Sequence, residues 1–209
     1  MDTLLYTLSA LAVGFALGRI HRVHSFQNGG EARLSRLTRK HFCAPDYHLM
    51  NHITLQLGDG TTQIDHVLVS RFGVFVIETK DYKGWIFANA KQASWTQVLY
   101  KSKFKFQNPI FQNQRHVRAV QELLDFLPPD IVKSVVIFVG DAEFKTEVPG
   151  GVLSLPGFVR YIQEQTTEVM SLNRLQFCVG RFETARLALT GQTDIEHIQY
   201  LRRRHGGAA

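Results

Sequence analysis

Residues 74–85 read VFVIETKDYKGW, an unbroken apolar run that ends in a charged pair. Val74, Phe75, Val76 and Ile77 are β-branched or aromatic with no polar alternation, the pattern of a strand covered on both faces. Glu78 and Lys80 then share one face of that strand, because side chains alternate with period two. Such a pair either marks where the strand surfaces into water or delivers chemistry to the end of a sheet. The preceding segment, QIDHVLVS at 63–70, is a second apolar strand, and the RFG turn at 71–73 folds the two into an antiparallel hairpin. That hairpin brings Asp65, near the start of one strand, beside Glu78 and Lys80 at the end of the other. Two carboxylates and an ammonium at one sheet edge are costly to gather unless something offsets the repulsion. A divalent cation has the right chemistry, since Mg²⁺ is held by one or two carboxylates with water and phosphate oxygens. Lys80 would orient or help deprotonate a water, or stabilise charge developing on a phosphorane. Glu31, after Gly29 and Gly30, is a third acid within reach of the same edge. His66 adjoins Asp65 but faces the other way, as a packed histidine.

Working outward, YHLMNHITLQL at 47–57 and the GDGT turn at 58–61 complete a three-strand antiparallel meander. EARLSRLTRKHF at 31–42 places Leu34, Leu37 and Phe42 on one face of an amphipathic helix starting near Glu31. Downstream, WIFANA, SWTQVLY and KFKFQ are expected to extend the meander as short strands, with Trp85 packing where the first begins. NPIFQNQRHVRAVQELLDFL at 108–127 has Asn108 in a capping position, Pro109 in the first turn and an apolar stripe through Val117, Val120 and Leu124, and is a helix. VKSVVIFVG at 132–140 is again a buried strand, and following a helix it can cross over onto the same sheet. From Pro156 the chain reads as helical. The order predicts a mixed α/β core over 28–145, preceded by an anchor at 1–24 and followed by a C-terminal helical extension with a basic tail at 146–209.

Composition bounds the function classes. At 209 residues with 44% hydrophobic and 20% charged residues, the chain is globular. Its two cysteines, Cys43 and Cys178, have no paired spacing, which excludes a disulfide framework and a zinc ribbon and fits a reducing compartment. The net charge of +6 is concentrated at the ends: without residues 1–24 and 202–209, 19 Lys+Arg face 17 Asp+Glu. Bulk charge therefore says little about a ligand. Locally, Lys101, Lys103 and Lys105 alternate with Ser102, Phe104 and Phe106, so a strand there presents three ammonium groups on one face. They would track a phosphate backbone, protect an edge strand from aggregation, or both.

No charge occurs from Thr3 to Gly18, and Arg19 and Arg22 follow. Residues 3–20 approach the about 20 needed to cross a bilayer, and charges after the apolar run mark an uncleaved anchor. The arginines should hold the C-terminal side in the cytoplasm, giving a single-pass protein of the inner or plasma membrane with its N-terminus outside. Ala10, Gly14 and Gly18 form a small-residue stripe that would let two such helices pair as a homodimer.

Four ordered segments together resemble a known family: GE at 30–31, QIDHVLVS at 63–70, GVFVIETKDYKGW at 73–85 and NPIFQN at 108–113. They are similar to the nuclease-related domain (NERD) branch of the PD-(D/E)XK nucleases, over about residues 28–126. The resemblance implies a restriction-endonuclease-like core, a mixed central sheet flanked by helices. It further implies hydrolysis of phosphodiester bonds, of DNA in preference to RNA and by an endonuclease, with Mg²⁺ or Mn²⁺ as cofactor. It assigns Asp65 and Glu78 as metal ligands, Lys80 as the catalytic lysine and Glu31 as an accessory acid and ligand. Gln112 supports the site or contacts substrate, and Arg115 beside it is a further nucleic-acid contact with Lys101, Lys103 and Lys105. The superfamily's proline before the aspartate is absent, Ile64 standing there. The alternative is a catalytically silent module that binds nucleic acid or protein at the membrane.

Overall fold

In the computed structural model the described residues are 28–188 apart from Asp59, together with Thr193, Ile195 and 197–199. The anchor at residues 1–24, the Ala10, Gly14 and Gly18 stripe and the arginine tail lie outside them. Among the described residues, no helix is long and apolar enough to cross a membrane.

The strand singled out by its apolar run, β3 (Gly73–Lys80), is at the centre of a five-stranded sheet. Val74, Phe75, Val76 and Ile77 are each 0% exposed, so both faces of the strand are covered. β1 (Tyr47–Leu57), β2 (Gly60–Ser70) and β3 form the expected antiparallel meander, Met50 opposite Val67 and Val67 opposite Val76. The chain returns through α2 (Pro109–Leu123) to β7 (Val132–Phe138), which lies parallel to β3 with Ile77 opposite Val135. A three-residue strand, β9 (Val152–Ser154), adds to β7, so the sheet order is β1-β2-β3-β7-β9.

Helices cover both faces. On one, α2 and α4 (Leu172–Ala185) set Val120, Leu124, Leu175 and Phe182 against Ile64, Val74 and Val76. On the other, α1 (Gly29–His41) and α3 (Leu155–Gln163) set Leu34, Phe158 and Ile162 against Leu68, Phe75 and Ile77. Residues 152–185 thus contribute a strand and two helices to this same sheet and its cores. Asn108 caps α2, its Oδ1 accepting from the Ile110 N–H at 2.9 Å. Asn113, one turn on, lays its amide over the β3–β7 seam, 2.9 Å from the Val76 carbonyl and 3.1 Å from that of Val135.

The runs between residues 85 and 107 do not extend the meander. Both edges of β3 are already taken, by β2 and β7, and the chain turns away at Gly84, where φ is +76° and a Cβ would stand 2.4 Å from the Val98 carbonyl oxygen. A second, four-stranded sheet forms instead, in the order β6-β5-β4-β8, from β4 (Gly84–Phe87), β5 (Ser94–Leu99), β6 (Ser102–Gln107) and β8 (Ala142–Phe144). Its inner face packs Ile86 and Trp95 on Val136, Phe138 and Val152, with Trp95 stacked on Phe138 at 6.3 Å. Trp85 does not pack inward as expected: β4 alternates, Ile86 goes to the core, and Trp85 and Phe87 face outward. Lys103 and Lys105 lie in the edge strand β6, but Lys101 belongs to the preceding turn, next to Tyr100 at φ +55°.

Candidate active site

Asp65 lies where the meander parts. The β1–β2 ladder skips it, with Asn51 opposite His66 and Ile53 opposite Ile64 on either side, and the β2–β3 ladder ends one residue short of it, at His66 opposite Ile77. Opposite it on β1 is His52, at φ +51°, a conformation rare for a non-glycine residue. Across this kink the residues facing α2 switch from Ile53 and Ile64 to Met50 and Val67. The carboxylate is thereby turned to the end of β3, where its Oδ2 accepts the Thr79 N–H at 2.8 Å. It replaces the backbone carbonyl that a continued ladder would have supplied.

Glu78 and Lys80 share the α2 face of β3, as period two requires. Lys80 Nζ donates to Glu78 Oε1 at 2.6 Å and to Gln112 Oε1 at 3.1 Å. One helical turn beyond Gln112, His116 places Nε2 3.3 Å from Glu78 Oε2, while its Nδ1 is 2.7 Å from Thr62 Oγ1 on β2. Glu31 reaches the same end of the sheet from α1. Asn28 caps that helix, Oδ1 accepting from the Glu31 N–H at 3.0 Å, and its amide Nδ2 donates to Glu31 Oε1, a reciprocal cap. Gly30 is what lets α1 come so close: a Cβ there would stand 2.6 Å from Val139 Cγ2 and 2.7 Å from Asp81 Cβ.

The electrostatics follow from crowding these groups in a poorly solvated place. Burial raises the Glu31 carboxyl to about 7, against the hydrogen bond from its own N-cap, and Glu78 adds to the rise. Asp65 is held well above the ordinary carboxylate range by burial, then by Glu78 and Glu31. Glu78 is only 2% exposed, and burial alone would raise it. The His116 ring and the Lys80 ammonium against its two oxygens outweigh burial and keep it low. Burial likewise works against the Lys80 charge, and Glu78 reverses it, so Lys80 is more basic than a free lysine.

Glu31, Asp65, Glu78, Lys80 and Gln112 are therefore gathered at one sheet end. Lys103 and Lys105 are on the second sheet, and Arg115 is partly exposed on α2 with no role in this hydrogen-bond set. His66 is fully buried with Nδ1 2.9 Å from Asn51 Oδ1, a packed histidine as expected. His116, Thr62 and Asn28 were not anticipated. The first had a signal, since a residue four after Gln112 on a helix lies on the same face.

The family model for the nuclease-related domain matches residues 27–139, more than half of the chain. The chain belongs to the nuclease-related domain family. An uncharacterized protein of Bacillus anthracis is 29% identical to it over 205 residues, covering 96% of this chain and 87% of that protein. No solved structure matches the NERD chain significantly.

The donor set of this NERD site suits a hard divalent cation. All the candidate ligands are carboxylate oxygens: Glu31 Oε2 is buried without a hydrogen-bond partner among the described residues, and Glu78 Oε2 is buried with the His116 ring 3.3 Å away. Among those residues no three His, Cys, Asp or Glu side chains close into a ready-made coordination sphere. A cation here would rely on one or two carboxylates, with water and substrate oxygens completing its shell.

Proposed function

We propose that the protein is a metal-dependent nuclease that hydrolyses phosphodiester bonds of nucleic acid, with DNA favoured over RNA and endonucleolytic cleavage over exonucleolytic. The observation that carries this reading is Lys80 lying 2.6 Å from a buried Glu78, at a sheet end where burial, and then the neighbouring carboxylates, drive Asp65 and Glu31 toward protonation. Asp65 and Glu78 would hold Mg²⁺ or Mn²⁺, with Glu31 as an accessory ligand. The cation would supply Lewis-acid polarisation of the scissile phosphate and acidify a water. Lys80 holds its proton, because Glu78 raises its basicity, and this supports a role in stabilising charge on the phosphate rather than as a base. Gln112 gives the ammonium a second acceptor beside Glu78, and Asp65 is held by the Thr79 N–H. The test is a divalent-metal titration of cleavage with wild type and Asp65→Ala side by side. Cleavage that needs Mg²⁺ or Mn²⁺ and disappears in the variant is expected; equal cleavage by Asp65→Ala sinks the reading.

The sequence of residues 3–20 supports a single-pass anchor in the inner or plasma membrane, N-terminus outside and nuclease domain in the cytoplasm, with pairing through Ala10, Gly14 and Gly18. Membrane fractionation with protease protection tests it: release of the full chain by carbonate, without detergent, rules the anchor out.

A further inference from the structure

The second sheet has one face on the core and one in water, and the open face has an unusual composition. Trp85 and Phe87, two positions apart on β4, are 49% and 41% exposed. The ladders carry each ring across to a lysine on the edge strand: Trp85 is opposite Val98 and Val98 opposite Lys103, while Phe87 is opposite Thr96 and Thr96 opposite Lys105. On the other side, Glu143 of β8 is opposite Trp85 and pairs with Lys145, whose ammonium lies 4.8 Å from the centre of the indole. The face thus offers two flat rings on strand positions about 6.6 Å apart. Two exposed ammonium groups run parallel to them, and its one acid is already neutralised.

We propose that this open face binds single-stranded nucleic acid, bases stacking on Trp85 and Phe87 while Lys103 and Lys105 take the phosphates. The chemistry favours that occupant. Aromatic rings on a flat sheet offer π-faces to bases, which a duplex keeps occupied by its own stacking, and an adjacent row of cations follows the backbone. A protein-binding face would be depleted of lysine at its centre; here the Lys145 ammonium is 4.8 Å from the centre of the Trp85 ring, with Lys103 and Lys105 in register beyond. The inference builds on the candidate active site by naming the strand state of its substrate. Trp85 follows Lys80 by five residues, through a linker whose Tyr82 packs on Phe106, the residue between Lys105 and Gln107 of β6.

The chain has two tryptophans, and the other, Trp95, is 1% exposed. Stacking at Trp85 is therefore readable as a quench of tryptophan emission. The experiment titrates the full chain, in EDTA so that nothing is cut, with a labelled oligothymidylate and with a duplex of equal length. The single strand should bind more tightly and quench. Trp85→Phe should keep the affinity within about twofold and lose the quench, whereas Trp85→Ala should weaken binding roughly tenfold. Replacing Lys103 and Lys105 together by alanine should lower the salt slope by about 1.4, two single-strand phosphates' worth. Tighter binding of the duplex, a quench that persists in Trp85→Phe, or affinity unchanged in both Trp85→Ala and Phe87→Ala overturns the proposal. A parallel cleavage assay with Mg²⁺ separates the two readings. Cleavage with an indifferent Trp85 removes the platform and spares the nuclease. Ring-dependent binding without cleavage does the reverse.

Discussion

The five-stranded sheet is covered by helices on both faces, whereas the four-stranded sheet leaves one face in water. Along β3 of the first, burial excludes charge until the last three residues, so Glu78 and Lys80 appear only where the strand ends. Their neighbours there are other charges, which gives shifted carboxyls and a strong ion pair. In the second, alternation is allowed, and aromatic and basic side chains coexist on a solvated face at little energetic penalty. The two sheets are suited to different tasks: one concentrates charge for chemistry, the other spreads rings and cations over a surface.

The two faces of the second sheet differ most at the two tryptophans. Trp95→Ala should cost about 3–5 kcal/mol in urea denaturation, because it empties the packing between Phe106, Phe138 and Phe144. Lys80→Ala comes next: it leaves the buried Glu78 facing other acids, and in EDTA should lose about 3 kcal/mol, with cleavage reduced by at least about a hundredfold. Asp65→Asn should go the other way. It keeps an acceptor for the Thr79 N–H but removes a repelled charge, so stability without metal should rise by about 1 kcal/mol while cleavage disappears.

Glu31 sharpens the charge side of the comparison through pH. Its carboxyl binds a proton more tightly folded, at about 7, than at the ordinary value of 4.5. The folded state is thus favoured at low pH by this group and loses stability as pH rises from about 4.5 to about 7. Thermal melting in EDTA should show that fall, and Glu31→Gln should flatten it, Asp65 supplying what slope remains. The smallest effect belongs to the open face: Trp85→Ala should change stability by no more than about 0.5 kcal/mol. A loss matching that of Trp95→Ala would mean that the two faces are not as different as their exposure indicates.

Much of the central sheet was legible in the chain. The uninterrupted Val74–Ile77 run, the glycine-containing turns and the Asn108–Pro109 helix start each carry a local rule, and each element formed where its rule placed it. Glu78 and Lys80 were legible as a same-face pair, and Gln112 through the helix that follows. The strands of residues 84–107 were seen as strands but assigned to the wrong sheet. Alternation reports which face is buried and not which edge is free, and the β8 partner of β4 is more than fifty residues away. β8 and β9 went unseen because three residues are too few for a period. His116 shares the helix face of Gln112, but its meeting with Glu78 is a contact between α2 and β3 that no spacing along the chain expresses.

By itself, then, the sequence determined which groups are present and the local geometry that presents them: a both-sides-buried strand ending in Glu78 and Lys80, an acid in the strand before it, and an acid in the first turn of a helix. Only the tertiary structure decided that these ends meet. The kink at His52 turns Asp65 toward Thr79, Gly30 admits α1 close enough to bring Glu31, and the closed edges of β3 send the next strands to a sheet of their own. The physical reason is one of range. Propensity and periodicity act over a few residues, while desolvated charges and edge pairing depend on which distant segments the packing brings together.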